Sequence, residues 1–125
     1  MNIDSLYFDK CPQTWEAALA MSEKCLPLDE GMRYEYWYNA KMERQLLAVL
    51  ILAAHRSKQD NFGYVYDLAK QIDKDPKGVA EKIRHPETLE ANRALDETLS
   101  CVGTFFCEPI KKLLLSMKNI TVKIS

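Results

Sequence analysis

The feature that most constrains this chain is an uninterrupted apolar run at the end of a long helical pattern. All nine residues from Leu46 to Ala54 are apolar, and they close a segment from about Tyr34 to His55 with apolar residues at helical spacing. A helix that is apolar almost all round is buried on most of its sides. The run is also far shorter than the roughly 20 residues that cross a bilayer. The sequence therefore predicts a buried central helix. In the more polar first half of this helix, we expect Glu35, Lys41 and Glu43 to face solvent.

Four further helical segments surround this one in the sequence. The first runs from Pro12 to Leu26, where Pro27 blocks continuation. The second runs from Phe62 to Ile72, with Asp60 or Asn61 as its cap and an inward stripe formed by Val65, Leu68, Ala69 and Ile72. The third follows a turn at residues 73–76, with Asp75 as cap, Pro76 in the first turn, and Val79, Ala80 and Ile83 pointing inward.

The last helical region runs from Pro86 to about Met117. Leu89, Leu95 and Leu99 are among its apolar positions, and Pro109 is expected to divide it into two helices. The tail from Asn119 to Ser125 alternates like a strand but has no partner strand in the sequence. The sequence therefore predicts that residues 1–125 form a single all-α domain, a compact bundle of about five to six helices.

Composition and motifs limit the chemistry that the chain can perform. Its 17 basic and 18 acidic side chains give a net charge of -1, which argues against a protein built mainly to coat nucleic acid. Its four glycines are isolated and form no phosphate-binding loop, and hydrolase and HExxH motifs are missing. The four cysteines include no CxxC pair, and they are interpreted as reduced structural residues. We expect no catalytic residue, no cofactor and no metal site.

The charges are distributed unevenly along the chain. Residues 56–85 carry seven basic and five acidic side chains, whereas residues 1–30 carry two basic and six acidic ones. Such polarity favours a basic face for DNA and an acidic face for a basic protein. Solvated helix surfaces that serve solubility are the alternative interpretation. The candidate contact residues are Arg56, Lys58, Lys74, Lys77, Lys82 and Arg84.

An aromatic cluster precedes the apolar run. Tyr34, Tyr36, Trp37 and Tyr38 lie close in sequence to Arg33 and Lys41. Aromatic rings interleaved with basic groups can stack on single-stranded bases. Core packing with a rim of tyrosines is the other interpretation, and the sequence favours it.

The central segment also carries a family resemblance. Tyr36-Trp37-Tyr38-Asn39-Ala40-Lys41, followed by the apolar run Leu46–Ala54 and by Val65-Tyr66-Asp67-Leu68, resembles a stretch of type IV secretion coupling proteins, the TraG/TraD-like ATPases of conjugation. Phe8-Asp9-Lys10-Cys11-Pro12 looks like the entry to the same region. Gly103-Thr104-Phe105 and Glu108-Pro109 are similar to its closing helix. The resemblance covers nearly the whole chain and rests on hydrophobic patterns.

In that family this region is the all-alpha domain, a helical bundle inserted into the nucleotide-binding domain of a hexameric ATPase ring. The resemblance implies that the chain is a fragment of a larger ATPase, with neighbouring termini. It implies a docking role at the cytoplasmic face, without direct membrane contact and without catalysis by the domain itself. The implied partners are a relaxase or other relaxosome proteins, effector proteins, and single-stranded DNA.

Two other classes of function compete with this one. A stand-alone helical adaptor or regulator would act through protein–protein contacts at exposed tyrosines and methionines. A small enzyme with a metal site in the bundle core ranks last, because the Glu and Glu-x-x-His pattern of carboxylate-bridged metal bundles does not occur.

Overall fold

Helices account for nearly all of the described chain. The computed structural model describes residues 14–26, 34–58, 62–84 and 89–100, together with residues 113, 114 and 117, which are also helical. Within these ranges no residue lies in a β-strand, and the fold is all-α, as predicted. The five helices are α1 (Trp15–Cys25), α2 (Tyr34–Arg56), α3 (Phe62–Lys74), α4 (Pro76–Ile83) and α5 (Leu89–Ser100).

The central helix is α2. Every residue from Leu46 to Ala54 is at most 5% exposed, because α1, α3 and α5 all pack against α2. The shorter α4 packs on α3 rather than forming a main contact with α2. Leu113 and Met117 are buried in the same apolar core. The buried central helix predicted from the apolar run is therefore confirmed.

Capping residues define where two of the helices begin. Thr14 precedes α1 in extended backbone geometry, and its hydroxyl accepts a hydrogen bond from the Ala17 amide at 3.1 Å. Asp75 precedes α4, and its carboxylate accepts from the Gly78 amide at 3.2 Å. Each cap satisfies a first-turn amide that has no partner within its helix. The cap at Asp75 and the first-turn position of Pro76 are confirmed.

Four details of the predicted elements are wrong. The first helix begins at Trp15 and not at Pro12, because Thr14 is its cap in extended geometry. Residues 73 and 74 are not part of a turn, because α3 continues to Lys74 and leaves only Asp75 between the helices. Glu43 is not solvent-facing but 4% exposed; α1 packs on α2, and its Ser22 donates a hydrogen bond to the carbonyl oxygen of the neighbouring Arg44. Leu89 is not a core position but 69% exposed. It lies two residues before the buried stripe of α5, which consists of Ala91, Ala94, Leu95 and Thr98.

The inward positions of α3 and α4 agree with the predictions. Val65, Leu68, Ala69 and Ile72 are buried, as are Val79 and Ala80, and Ile83 is half-buried. Lys41 is exposed, as expected. The expectations for Glu35, for the aromatic side chains of residues 34–38, for the break at Pro109, for the tail and for neighbouring termini concern parts outside the described residues. None of the described helices has the length and apolar character needed to cross a membrane.

Candidate functional site

A cleft opens where the ends of three helices meet. It has a volume of about 170 Å³. The last turn of α2, the first half of α3 and the end of α4 contribute the lining residues, which are Ala53, Arg56, Ser57, Tyr64, Leu68, Lys82, Ile83 and Arg84. We call this site the α2–α4 cleft. It brings together three of the six basic residues that the sequence singled out, namely Arg56, Lys82 and Arg84.

Arg56 connects the end of α2 to the end of α4. It is the last residue of α2 and half-buried, and its Nη1 donates a hydrogen bond to the Ile83 carbonyl oxygen at 3.2 Å. Burial lowers the pKa of Arg56 from its ordinary value because the charged form loses hydration. Carbonyl groups at a helix C-terminus carry partial negative charge, so a cation is favoured at this position. The contact fixes the guanidinium at the wall of the cleft.

Arg84 lies at the mouth of the cleft and is held by α5. Its Nη1 donates to one carboxylate oxygen of Asp96 at 3.0 Å, and its Nη2 donates to the other. These hydrogen bonds raise the pKa of Arg84 and lower the pKa of Asp96. Both side chains are largely exposed, at 41% and 55%. Two parallel hydrogen bonds are the usual geometry by which arginine recognises a carboxylate.

The rest of the lining combines one exposed cation with an apolar floor. Lys82 is exposed, whereas Ala53 and Leu68 are 5% and 3% exposed, and Ile83 is half-buried. Tyr64 is half-buried beside them. Small-molecule sites usually measure roughly 300–1,000 Å³, so a cleft of about 170 Å³ is too small for most cofactors. Its size and lining suit one apolar side chain of a larger partner, with acidic groups beside it.

The other three predicted contact residues do not line the cleft. Lys58 lies in the turn after α2 with a φ of 59°, Lys74 ends α3, and Lys77 lies in the first turn of α4. All three are exposed. The described structure therefore places three of the six basic residues at the cleft, and the other three are exposed outside it.

Three residues of this site were not found from the sequence. Ser57 and Tyr64 line the cleft, and Asp96 holds Arg84 from the neighbouring helix. Tyr64 lies in the first turn of α3. Aromatic residues at such positions commonly belong to the core, and nothing in the neighbouring sequence marks Tyr64 as a cleft residue. Asp96 is separated from Arg84 by 12 positions, so no spacing rule within one helix connects them.

A second polar cluster lies between α1 and α2. Arg44 is 4% exposed, and its Nε donates to the Leu26 carbonyl oxygen after the end of α1. The Ser22 hydroxyl donates to the Arg44 carbonyl oxygen at 2.7 Å. Burial lowers the pKa of Arg44, and the nearby carboxylates of Glu23 and Glu43 oppose that shift. These bonds join two helices inside the bundle, and the cluster is a structural feature.

Metal ligands do not come together in the described ranges, which contain no group of three or more His, Cys, Asp or Glu side chains placed to hold an ion. Comparison with protein-family models, with curated proteins and with solved structures finds no match to this chain.

Proposed function

We propose that this chain is a substrate-recognition domain of a type IV secretion coupling protein. In this proposal it docks a relaxase–DNA complex or an effector protein at the cytoplasmic face of the ATPase ring and performs no catalysis itself. The proposal joins two lines of support: the resemblance of its hydrophobic patterns, and the surface of the folded bundle. The observation that carries it is the α2–α4 cleft, in which Arg56, Lys82 and Arg84 surround an apolar floor.

The mechanism follows from the charges and the shape of this surface. Lys82 and Arg84 are exposed and carry positive charge at the rim of the cleft. Such a surface raises the association rate of an acidic partner, and the effect weakens as salt increases. The half-buried side chains of Tyr64 and Ile83 then hold the partner after the encounter, because the contact removes their exposed apolar surface from water.

Equilibrium binding of the purified chain to the purified relaxase encoded with it tests the proposal. We expect binding that weakens with salt. The double variant K82Q/R84Q should bind about tenfold more weakly, as expected for loss of charge-assisted contacts. The matched control K74Q/K77Q removes the same formal charge outside the cleft and should bind nearly as the unchanged chain does.

The reading frame around the coding segment provides a second test of the same proposal. We expect a phosphate-binding loop upstream in the same frame, as an ATPase with an inserted helical domain requires. A frame without any nucleotide-binding motif, together with no binding to the relaxase or its DNA complex, would overturn the proposal. The stand-alone adaptor would then be the better account.

A further inference from the structure

We propose that the α2–α4 cleft takes an acidic peptide segment, with one apolar side chain on the floor and a carboxylate on Arg84. This inference rests on the proposed docking function and names the chemistry of the docked segment. The carboxylate of the partner replaces Asp96 on the Arg84 guanidinium. Asp96 is thus an internal competitor that the partner displaces.

The lining of the cleft favours a segment with both apolar and acidic groups. Ala53 and Leu68 are already buried, and the half-buried Tyr64 and Ile83 beside them still expose apolar surface that a partner can cover. Lys82 and Arg84 stand at the rim and are exposed. A peptide segment with one leucine-sized side chain flanked by acidic residues contacts the apolar floor and the cations at the rim at the same time.

Arg84 already holds a carboxylate in the geometry that the proposal requires. Both of its terminal nitrogens donate to Asp96, and more than a third of each side chain is exposed to solvent. An exposed ion pair contributes little to stability, so exchange of one carboxylate for another costs little. A partner that also covers the apolar floor therefore gains binding energy that Asp96 cannot supply.

A peptide fits the cleft better than single-stranded DNA does. Nucleic-acid grooves track the backbone with a row of cations and stack bases on successive aromatic rings. Here Lys74 and Lys77 lie outside the cleft, and one tyrosine, Tyr64, lines it. A phosphodiester backbone also carries no apolar side chain for the floor.

Fluorescence anisotropy with a labelled synthetic peptide tests the inference on the full chain. The probe has one leucine flanked on each side by two glutamates. Its controls replace the glutamates by glutamines, or the leucine by serine, and labelled oligothymidylate is the nucleic-acid probe. We expect the acidic leucine peptide to bind at least about tenfold more tightly than either peptide control or the oligonucleotide.

Variants separate the cleft from general surface charge. K82Q/R84Q should lose about tenfold in peptide affinity, and K74Q/K77Q should change it less than twofold. D96N should increase the affinity several-fold, because it frees Arg84 from its competitor. In an R84Q background, D96N should have no such effect. Thermal unfolding of each variant checks that the fold is retained.

The outcomes distinguish this inference from the proposed function. If the relaxase binds but the peptide neither binds nor competes, the docking function stands and the acidic-peptide inference is wrong. If the peptide binds in the cleft but the relaxase does not bind, the site stands and the proposed function fails. Tighter binding of the oligonucleotide than of the peptide, or weaker peptide binding by D96N, would overturn the inference.

Discussion

The guanidinium of Arg84 holds both carboxylate oxygens of Asp96 and so connects the residue after α4 to α5. The two residues are 12 positions apart, and neither is buried. An ion pair in this setting contributes little to folding. Its significance lies in its place at the mouth of the α2–α4 cleft, where Asp96 occupies both terminal nitrogens of Arg84.

D96N should lower the free energy of unfolding by at most about 1 kcal/mol at neutral pH. Hydrogen bonding to Arg84 lowers the pKa of Asp96 below its ordinary value of 3.8. The pair therefore stabilises the fold above that value, and its contribution is lost as the pH falls below 3.8 through the lowered pKa. Urea unfolding of both proteins at several pH values measures this. A stability difference that grows toward acid pH would contradict the assignment.

L50A should destabilise the protein by about 2–5 kcal/mol, because it removes a fully buried side chain from the central helix and leaves a cavity. The matched control is L89A. Leu89 is 69% exposed, so its truncation should change stability by no more than about 0.5 kcal/mol. Denaturant unfolding compares the two. Equal losses would show that the core does not centre on α2.

G78A should stabilise α4 less than a glycine-to-alanine change in a helix usually does. A Cβ at this position would lie 2.1 Å from Oδ2 of Asp75, so the cap of the helix must move. In a D75A background the cap is absent, and the full gain of up to about 1 kcal/mol should appear. A double-mutant cycle measures the coupling. Identical effects in both backgrounds would show that the cap tolerates the methyl group.

R44M should destabilise the protein less than R44A. Arg44 is 4% exposed, and its Nη1 has no hydrogen-bond partner among the described residues, so its charge is costly to bury. Methionine retains much of the volume, and the loss should stay below about 1.5 kcal/mol. Alanine leaves a cavity and should cost about 2–5 kcal/mol. Equal losses from chemical unfolding would instead assign the stabilisation to the bond with Leu26.

The parts of the fold that follow a local rule could be predicted from the sequence. The apolar run in α2, the stripe of α3 and the cap at Asp75 each depend on residues within a few positions of one another. The burial of Glu43 could not be predicted, because it depends on packing by other parts of the chain and not on a local pattern. Likewise, the sequence placed Arg56, Lys82 and Arg84 in one charged stretch. That they line the same cleft as Leu68 depends on how α2, α3 and α4 pack together.

The central claim is that the α2–α4 cleft is a docking surface. Two-dimensional NMR of the isotope-labelled chain during titration with the purified relaxase tests it most directly. The account predicts amide shift changes concentrated at Ser57, Tyr64, Ile83 and Arg84, and their loss in K82Q/R84Q. Changes confined to other faces of the bundle, or none at saturating relaxase, would contradict it.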